Sequence, residues 1–321
     1  MSGPPSLPSP IPERLAAGAF LLIDKPRGPT SHQVTAWVRD VLGVAKAGHA
    51  GTLDPNVSGL LWVGVGPALK LIPLVLEFPK RYVGVMAFHG PVPAKELDRV
   101  VAEFVGPVYQ TPPVRSAVRR ERRVRTIHRL AATERAASLA LLDVTADSGT
   151  YVRTLAVDLG EALGVGGHLE ELRRVGTGPF REGQAVAMTG LADAVSRAQA
   201  GATEELEGLL HPMKEVWGEF PVLRLKDVAA SAIAHGARLA SGGVMSISRT
   251  FSNGSYVVLA SSQGELVAFG TALVDSDQVP KTRHGWVVDP ERVLADPTRF
   301  PPRWESARTR RPKAAPAHVA A

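Results

Sequence analysis

The chain has 321 residues, 45% of them hydrophobic, with nine histidines and no cysteine. That length and apolar content allow at least one substantial core and favour two domains, while the missing cysteines exclude disulfides, thiolate metal sites and thiol nucleophiles. The net charge of +6 is concentrated: eight arginines (Arg115, Arg119, Arg120, Arg122, Arg123, Arg125, Arg129, Arg135) stand against Glu121 and Glu134 between 115 and 135, which accounts for the whole excess. Such a run suits phosphate binding, because guanidinium forks pair with phosphate oxygens, although a solvated basic face has the same composition.

Residues 1–18 carry repeated prolines and read as a loosely attached tail, as does the basic segment 303–321. No apolar stretch approaches the roughly 20 residues of a membrane helix, and the start lacks the order of a signal peptide, so a cytoplasmic protein is expected. FLLIDKP predicts a short buried strand stopped by Pro26, followed by a turn through Pro-Arg-Gly-Pro. Thr30-Ser31 then offers an N-cap for a helix over Val34 to Leu42. LLWVGVG, YVGVMAF and LALLDVTAD predict strands, while Leu97 to Phe104 and residues 154–163 have helical spacing. Strands and helices in this mixed order imply an α+β fold rather than a strict βαβ repeat. After a helix-like acidic segment, Ala202 to Leu210, PVLRLK, SYVVLAS, LVAFGTAL and GWVVD are short strand candidates separated by Gly, Ser and Asn turns, the pattern of a small β-barrel or sandwich.

The segment with the most specific chemistry is GHAGTLDPNVSGLL, residues 48–61. Gly48, Gly51 and Gly59 allow sharp turns or close approach, and Asp54 before Pro55 is held extended or in a turn, so the loop can present one carboxylate to a cleft. Capping a turn is the ordinary job of such an aspartate. In SGTYVRTLAVDLG, Tyr151 and Arg153 fall two apart on a strand-like stretch before a helix, which would put both on one face, with Arg153 able to pair with a buried acid. Tyr82, at the start of YVGVMAF, can offer a flat platform to a base; taken singly, core packing for the tyrosine and a surface ion pair for the arginine explain them as well. The nine histidines form no HxxxH or HxH pair, which argues against a metallohydrolase.

Taken in order, LLIDKPRGPTSH, GHAGTLDPNVSGLL, KRYVGVMAFHG and SGTYVRTLAVDLGEALG resemble the motifs of the TruB and dyskerin family of RNA pseudouridine synthases over roughly residues 19–190. The resemblance implies a pseudouridine synthase fold with a mixed, mainly antiparallel central sheet over 19–217 and a small β-barrel PUA domain over 218–302. It makes Asp54 the essential aspartate, Tyr82 the residue stacked on the target base and Arg153 the partner of the carboxylate. Leu172, in HLEELRRVGTGPF, falls where the family has an apolar residue lining the uracil pocket; His49 matches a histidine that wedges the nucleotide out of its stack, and Tyr151 joins the substrate-binding set. The implied isomerisation breaks the ribose C1′–N1 bond, rotates the base and rejoins it through C5, with no cofactor and no metal. A carboxylate can act as nucleophile or base, an arginine beside it favours the anion, and the extruded base needs stacking partners.

QTPPVRSAVRRERRVRTIHRL and the segment from HGARLASGGV through GWVVDPERV are similar to the dyskerin branch, and the absence of long lysine-rich tails fits its archaeal members. The implied role is the catalytic subunit of a guide-directed H/ACA ribonucleoprotein acting on rRNA, with guide RNA and small accessory proteins as partners, and with the TΨC-loop uridine of tRNA as a further target. A stand-alone tRNA synthase and a non-catalytic RNA-binding scaffold are the alternatives. Leu69, Gly176-Thr177 and His128 depart from the family pattern, which bears on RNA contacts rather than on the reaction.

Overall fold

The computed structural model describes residues 7–111, 121–136, 138–282 and 285–300. The C-terminal tail at 303–321 and Arg115, Arg119 and Arg120 of the basic run lie outside these residues. The chain divides into two compact units, Met1–Glu215 and Val216–Ala321.

The first unit runs through α1 (Ile11–Ala17), β1 (Ala19–Lys25), α2 (Ser31–Leu42), β2 (Ala47–Ala50), β3 (Val57–Val65), α3 (Ile72–Glu77), β4 (Lys80–Phe88) and α4 (Ala94–Glu103). It continues with β5 (Gly106–Gln110), β6 (Arg123–Ala136), β7 (Leu139–Ala146), α5 (Val152–Ala162), β8 (Gly167–Thr177), β9 (Phe180–Arg181), α6 (Met188–Gln199), α7 (Glu204–Leu209) and β10 (His211–Pro212); α8 (Lys214–Trp217) follows at the division. The strands form one sheet in the order β10-β1-β3-β8-β4-β7-β6-β5, with β2 added to β3 and β9 to β8. Only the β3–β8 pair is parallel among these ladders. The mixed, mainly antiparallel sheet is therefore as expected.

Two apolar clusters hold helices to this sheet. Val34, Val38 and Leu42 of α2 and Leu191, Ala194 and Ala198 of α6 recur at helical spacing and meet Leu21, Ile23, Leu61 and Val63 of β1 and β3. Leu97 and Val101 of α4 and Leu155 and Leu159 of α5 meet Met86, Leu142 and Val144 of β4 and β7. The cap of α2 is as read from the sequence: Thr30 accepts from the Gln33 amide while the Gln33 side chain accepts from the Thr30 amide.

Two expectations need correction, and one strand was not foreseen. The stretch up to residue 18 is not a loose tail throughout: α1 buries Ile11 and Leu15 in the first cluster, and Pro12 sits in its first turn, where no amide donor is required. Arg153 does not lie on a strand-like stretch beside Tyr151; Tyr151 is the extended N-cap of α5 and Arg153 is already in its first turn. The charged segment HLEELRRVGT, for which the sequence suggested no strand, is β8, in the middle of the sheet between β3 and β4.

The second unit contains β11 (Val222–Leu225), α9 (Asp227–Ala234), β12 (Leu239–Ala240), β13 (Val244–Ile247), β14 (Tyr256–Ala260), β15 (Leu266–Ala272) and β16 (Trp286–Val293). Its sheet has the order β12-β16-β15-β14-β11-β13, whose two end strands are consecutive in sequence and joined by a single turn, Ser241–Gly243. So short a link requires the sheet to curl until its ends approach, enclosing Leu223, Val257, Leu259, Val267 and Val287.

Candidate active site

The loop between β2 and β3 carries Asp54, and its two neighbours, Leu53 and Pro55, are each tied by a buried polar side chain. Ser31, at the start of α2, donates its hydroxyl to the Leu53 carbonyl at 2.9 Å and accepts from the Leu53 amide at 2.8 Å. On the other flank, Lys25 at the end of β1 is fully buried and donates to the carbonyls of Pro26 and Pro29, both at 2.8 Å, and to Pro55 at 3.4 Å. Burial pulls the Lys25 ammonium below its usual range, and nearby Arg174 adds to the effect, while Asp54 opposes it. The Gly28 amide donates to the same Pro55 oxygen at 2.8 Å, and the Val57 amide closes a turn on Asp54 at 3.0 Å.

Arg174 of β8 completes the support. Only 2% exposed, it donates through Nε to the Leu60 carbonyl and through Nη2 to the Gly51 carbonyl, each at 2.7 Å. Space for it comes from glycine: Gly51 has φ +71° and Gly59 has φ +103°, and a Cβ on Gly59 would lie 2.2 Å from the Arg174 carbonyl oxygen. The loop is thus tied to α2, β1 and β8 before any ligand binds. Buried donors matched to otherwise orphaned carbonyls make that arrangement costly to distort.

Arg153 reaches Asp54 from α5, its Nη2 donating to Asp54 Oδ2. Both side chains are about half exposed, at 54% and 50%, so the pair lies open in a cleft rather than sealed in the core. The start of α5 is itself held: the Gln110 side chain accepts from the Tyr151 amide at 2.9 Å and donates to the Tyr151 carbonyl at 3.2 Å. The cleft, about 310 Å3, is lined by Arg27, Asp54, Pro55, Asn56, Val57, Arg153 and residues 169–172.

Of the expected site residues, Asp54, Arg153 and Leu172 therefore share one cleft. Leu172 arrives there because β8 pairs with β3 at Val57, the third residue after Asp54. Tyr82, His49 and Tyr151 are not part of its lining. Tyr82 lies one strand further on, half-buried on β4 opposite Arg174 of β8, and packs on the second apolar cluster. His49 lies at the end of β2, its Nδ1 3.0 Å from Thr35 Oγ1 and its Nε2 3.3 Å from Thr52 Oγ1. Because the Thr35 hydroxyl proton is donated to the Ser31 carbonyl, Thr35 must accept from Nδ1–H, which leaves Nε2 to accept from Thr52. Burial first, then His32 and Arg174, pull His49 down to about 4, so it is neutral at pH 7. Sequence reasoning assigned no role to Lys25, Gln110 or Arg174, and placed Ser31 only in a helix cap.

Comparison with known proteins bears on the same residues. Residues 39–152 match the TruB family pseudouridylate synthase N-terminal domain, 153–216 the tRNA pseudouridylate synthase B C-terminal domain and 221–294 the PUA domain. Probable tRNA pseudouridine synthases B of Pyrobaculum calidifontis and Methanopyrus kandleri are 43% and 41% identical, over 89% and 94% of this chain and 86% and 89% of theirs. The crystal structure of a Cbf5-Nop10-Gar1 complex contains a chain with a TM-score of 0.85 and 36% identity, covering 94% of this chain and 93% of that one. An H/ACA RNP bound to a substrate RNA containing 2′-deoxyuridine gives 0.81 and 34%, over 95% and 94%. With two relatives above 40% identity running through both units, the chain belongs to the TruB family of pseudouridine synthases, isomerases that act on RNA.

Proposed function

We propose that the chain is the catalytic subunit of a guide-directed H/ACA ribonucleoprotein, isomerising uridines of ribosomal RNA chosen by pairing with a guide. The observation that carries the catalytic reading is the Asp54–Arg153 pair in a cleft that also contains Leu172. Asp54 acts at the ribose of the extruded nucleotide, either attacking C1′ or removing a ribose proton; the C1′–N1 bond breaks, C1′ rejoins the base at C5, and the C5 proton is released as N1 takes one up. Arg153 orients the carboxylate. Leu172 lines the uracil pocket, Tyr82 stacks on the base, Tyr151 contributes to substrate binding, and His49, fixed by two threonines, wedges the nucleotide from its neighbours.

The likeness to chains solved with Nop10 and Gar1, across 94% of this chain, supports a guide-dependent particle with accessory proteins of that kind. A stand-alone tRNA synthase is the second reading, favoured by relatives described as probable tRNA pseudouridine synthase B. Purified protein offered unmodified tRNA, and rRNA with and without guide, separates the two: modification of rRNA only with guide supports the first, and turnover on tRNA alone supports the second. The catalytic assignment is tested by tritium release from [5-3H]uridine RNA. Asp54→Asn is expected to abolish release, and a rate equal to that of the unaltered protein would refute the role of the carboxylate.

A further inference from the structure

The cleft around Asp54 has an unfavourable charge for a polyanion. Arg27 and Arg153 face Asp54, Glu170 and Glu171, so two cations meet three carboxylates. Arg153 is engaged with Asp54, and Glu170 is 3.0 Å from the His168 ring. Arg27 pairs with Glu171 of β8 through Nη1 at 2.6 Å, with side chains 52% and 62% exposed. A pair that open contributes at most about 1 kcal/mol to stability, too little to explain it as a strut between loop and sheet.

The placement of Arg27 is more exact than that of most surface arginines. The next residue, Gly28, donates its amide to Pro55, the residue after Asp54, at 2.8 Å. Lys25 holds the carbonyls of Pro26 and Pro29 on either side of Arg27, and its third bond goes to Pro55 as well. The backbone of Arg27 and the backbone of Asp54 are therefore parts of one hydrogen-bonded platform. Any anion held by Arg27 is bound within reach of that side chain from the Asp54 loop.

From this geometry, and resting on the reading of the cleft as the site of uridine isomerisation, we infer that Arg27 binds a phosphate of the substrate RNA at the cleft mouth, and that Glu171 occupies its guanidinium until RNA displaces it. Because Glu171 engages only Nη1, a phosphate can first take the Nε–Nη2 fork and then draw the guanidinium off the carboxylate. Glu171 then turns to solvent, and the ion pair is exchanged rather than lost. The carboxylates on β8 thereby keep non-substrate anions out while costing the correct ligand little.

The test uses the full chain, with tRNA or guide-paired rRNA, at several salt concentrations. Arg27→Gln is expected to raise KM severalfold, to leave kcat much less affected, and to make the slope of log affinity against log salt shallower by about 0.7 to 0.9. Arg27→Lys recovers most of that slope. Glu171→Gln lowers KM by roughly twofold to fivefold, the worth of an exposed pair, and adds nothing in an Arg27→Gln background. An unchanged salt slope in Arg27→Gln, or a raised KM in Glu171→Gln, overturns the proposal, and a matching fall in melting temperature in both would identify a structural tie instead. The salt slope is read from RNA binding alone, on tRNA or guide-paired rRNA whether or not either is modified, so failure of the unaltered protein to make pseudouridine would refute the proposed reaction without being mistaken for failure of Arg27.

Discussion

Lys25 is the residue on which the site loop depends most. Replacing it by methionine keeps the aliphatic bulk but removes the buried donor to the partly buried carbonyls of Pro26 and Pro29. With both acceptors partly open to water, Lys25→Met should destabilise the protein by about 1–2 kcal/mol in urea melts, and kcat should fall with it as Asp54 loses its platform. His49 gives a pH dependence of definite sign. With its folded value near 4 against 6.5 for the free side chain, the unfolded chain takes up a proton over that window before the folded one does. Stability should thus decline as pH falls from 6.5 towards 4 and level off below, and His49→Gln should flatten that limb in denaturation midpoints measured across the range. Asp54 and Arg153 were legible in the sequence because their motifs are distinctive and both project side-chain chemistry. Lys25 and Arg174 stand in neighbouring motifs, LLIDKPRGPTSH and HLEELRRVGTGPF, yet carried no visible role, because their partners are backbone oxygens: Arg174 answers the carbonyls of Gly51 and Leu60, more than a hundred residues earlier, and a carbonyl leaves no mark in a sequence.

Among the elements, β8 decides how the site comes together, since it pairs with β3 beside the Asp54 loop and with β4 beside Tyr82. Gly59 is the point of closest approach. Gly59→Ala combines a positive φ with a methyl group 2.2 Å from the Arg174 carbonyl, so the two strands must separate. A loss of about 2 kcal/mol or more is expected by thermal or urea unfolding, with activity falling further than stability because Leu172 and Asp54 shift relative to each other. The apolar strands β1, β3, β4 and β7 and the helices α2, α4 and α5 were readable from periodicity. β8 was not, because His168, Glu170, Glu171, Arg173 and Arg174 suggest a solvated segment. Its charges are nonetheless answered locally: Arg173 bonds Asp24 at 3.0 Å and Glu182 at 2.6 Å, and Arg174 turns inward to carbonyls. α1 was hidden for a different reason, its short Ile11–Leu15 stripe being masked by the prolines before it.

For the whole molecule, the distribution of charge sets how RNA is met. The described part of the arginine run lies at and along β6, where Arg122 stacks over the Tyr109 ring at 4.2 Å and Tyr109 is 65% exposed. A flat aromatic and a guanidinium presented together suit a nucleic-acid strand better than an isolated charge does. Changing Arg122, Arg123 and Arg125 together to alanine should weaken RNA binding evenly across sequences and reduce the salt slope by about 2–3, with the position of modification unchanged, as read by filter binding and site mapping. The composition of the chain announced a basic surface and a second, β-rich part, but not that the second part's sheet curls so that β12 and β13 meet through one turn.

The position of β8 also bears on how the protein is made. A ribosome delivers β3 and β4 long before residues 167–177 emerge, and the gap these two strands leave for β8 has two unsatisfied hydrogen-bonding edges. Until more than a hundred further residues have been translated after β3, the nascent chain carries an open seam through the middle of its future sheet, which is the stage at which it is most prone to stick to other chains. The aspartate loop is synthesised early, with its ties to Ser31 and Lys25, but the carbonyls of Gly51 and Leu60 gain their Arg174 donor only when that late strand docks.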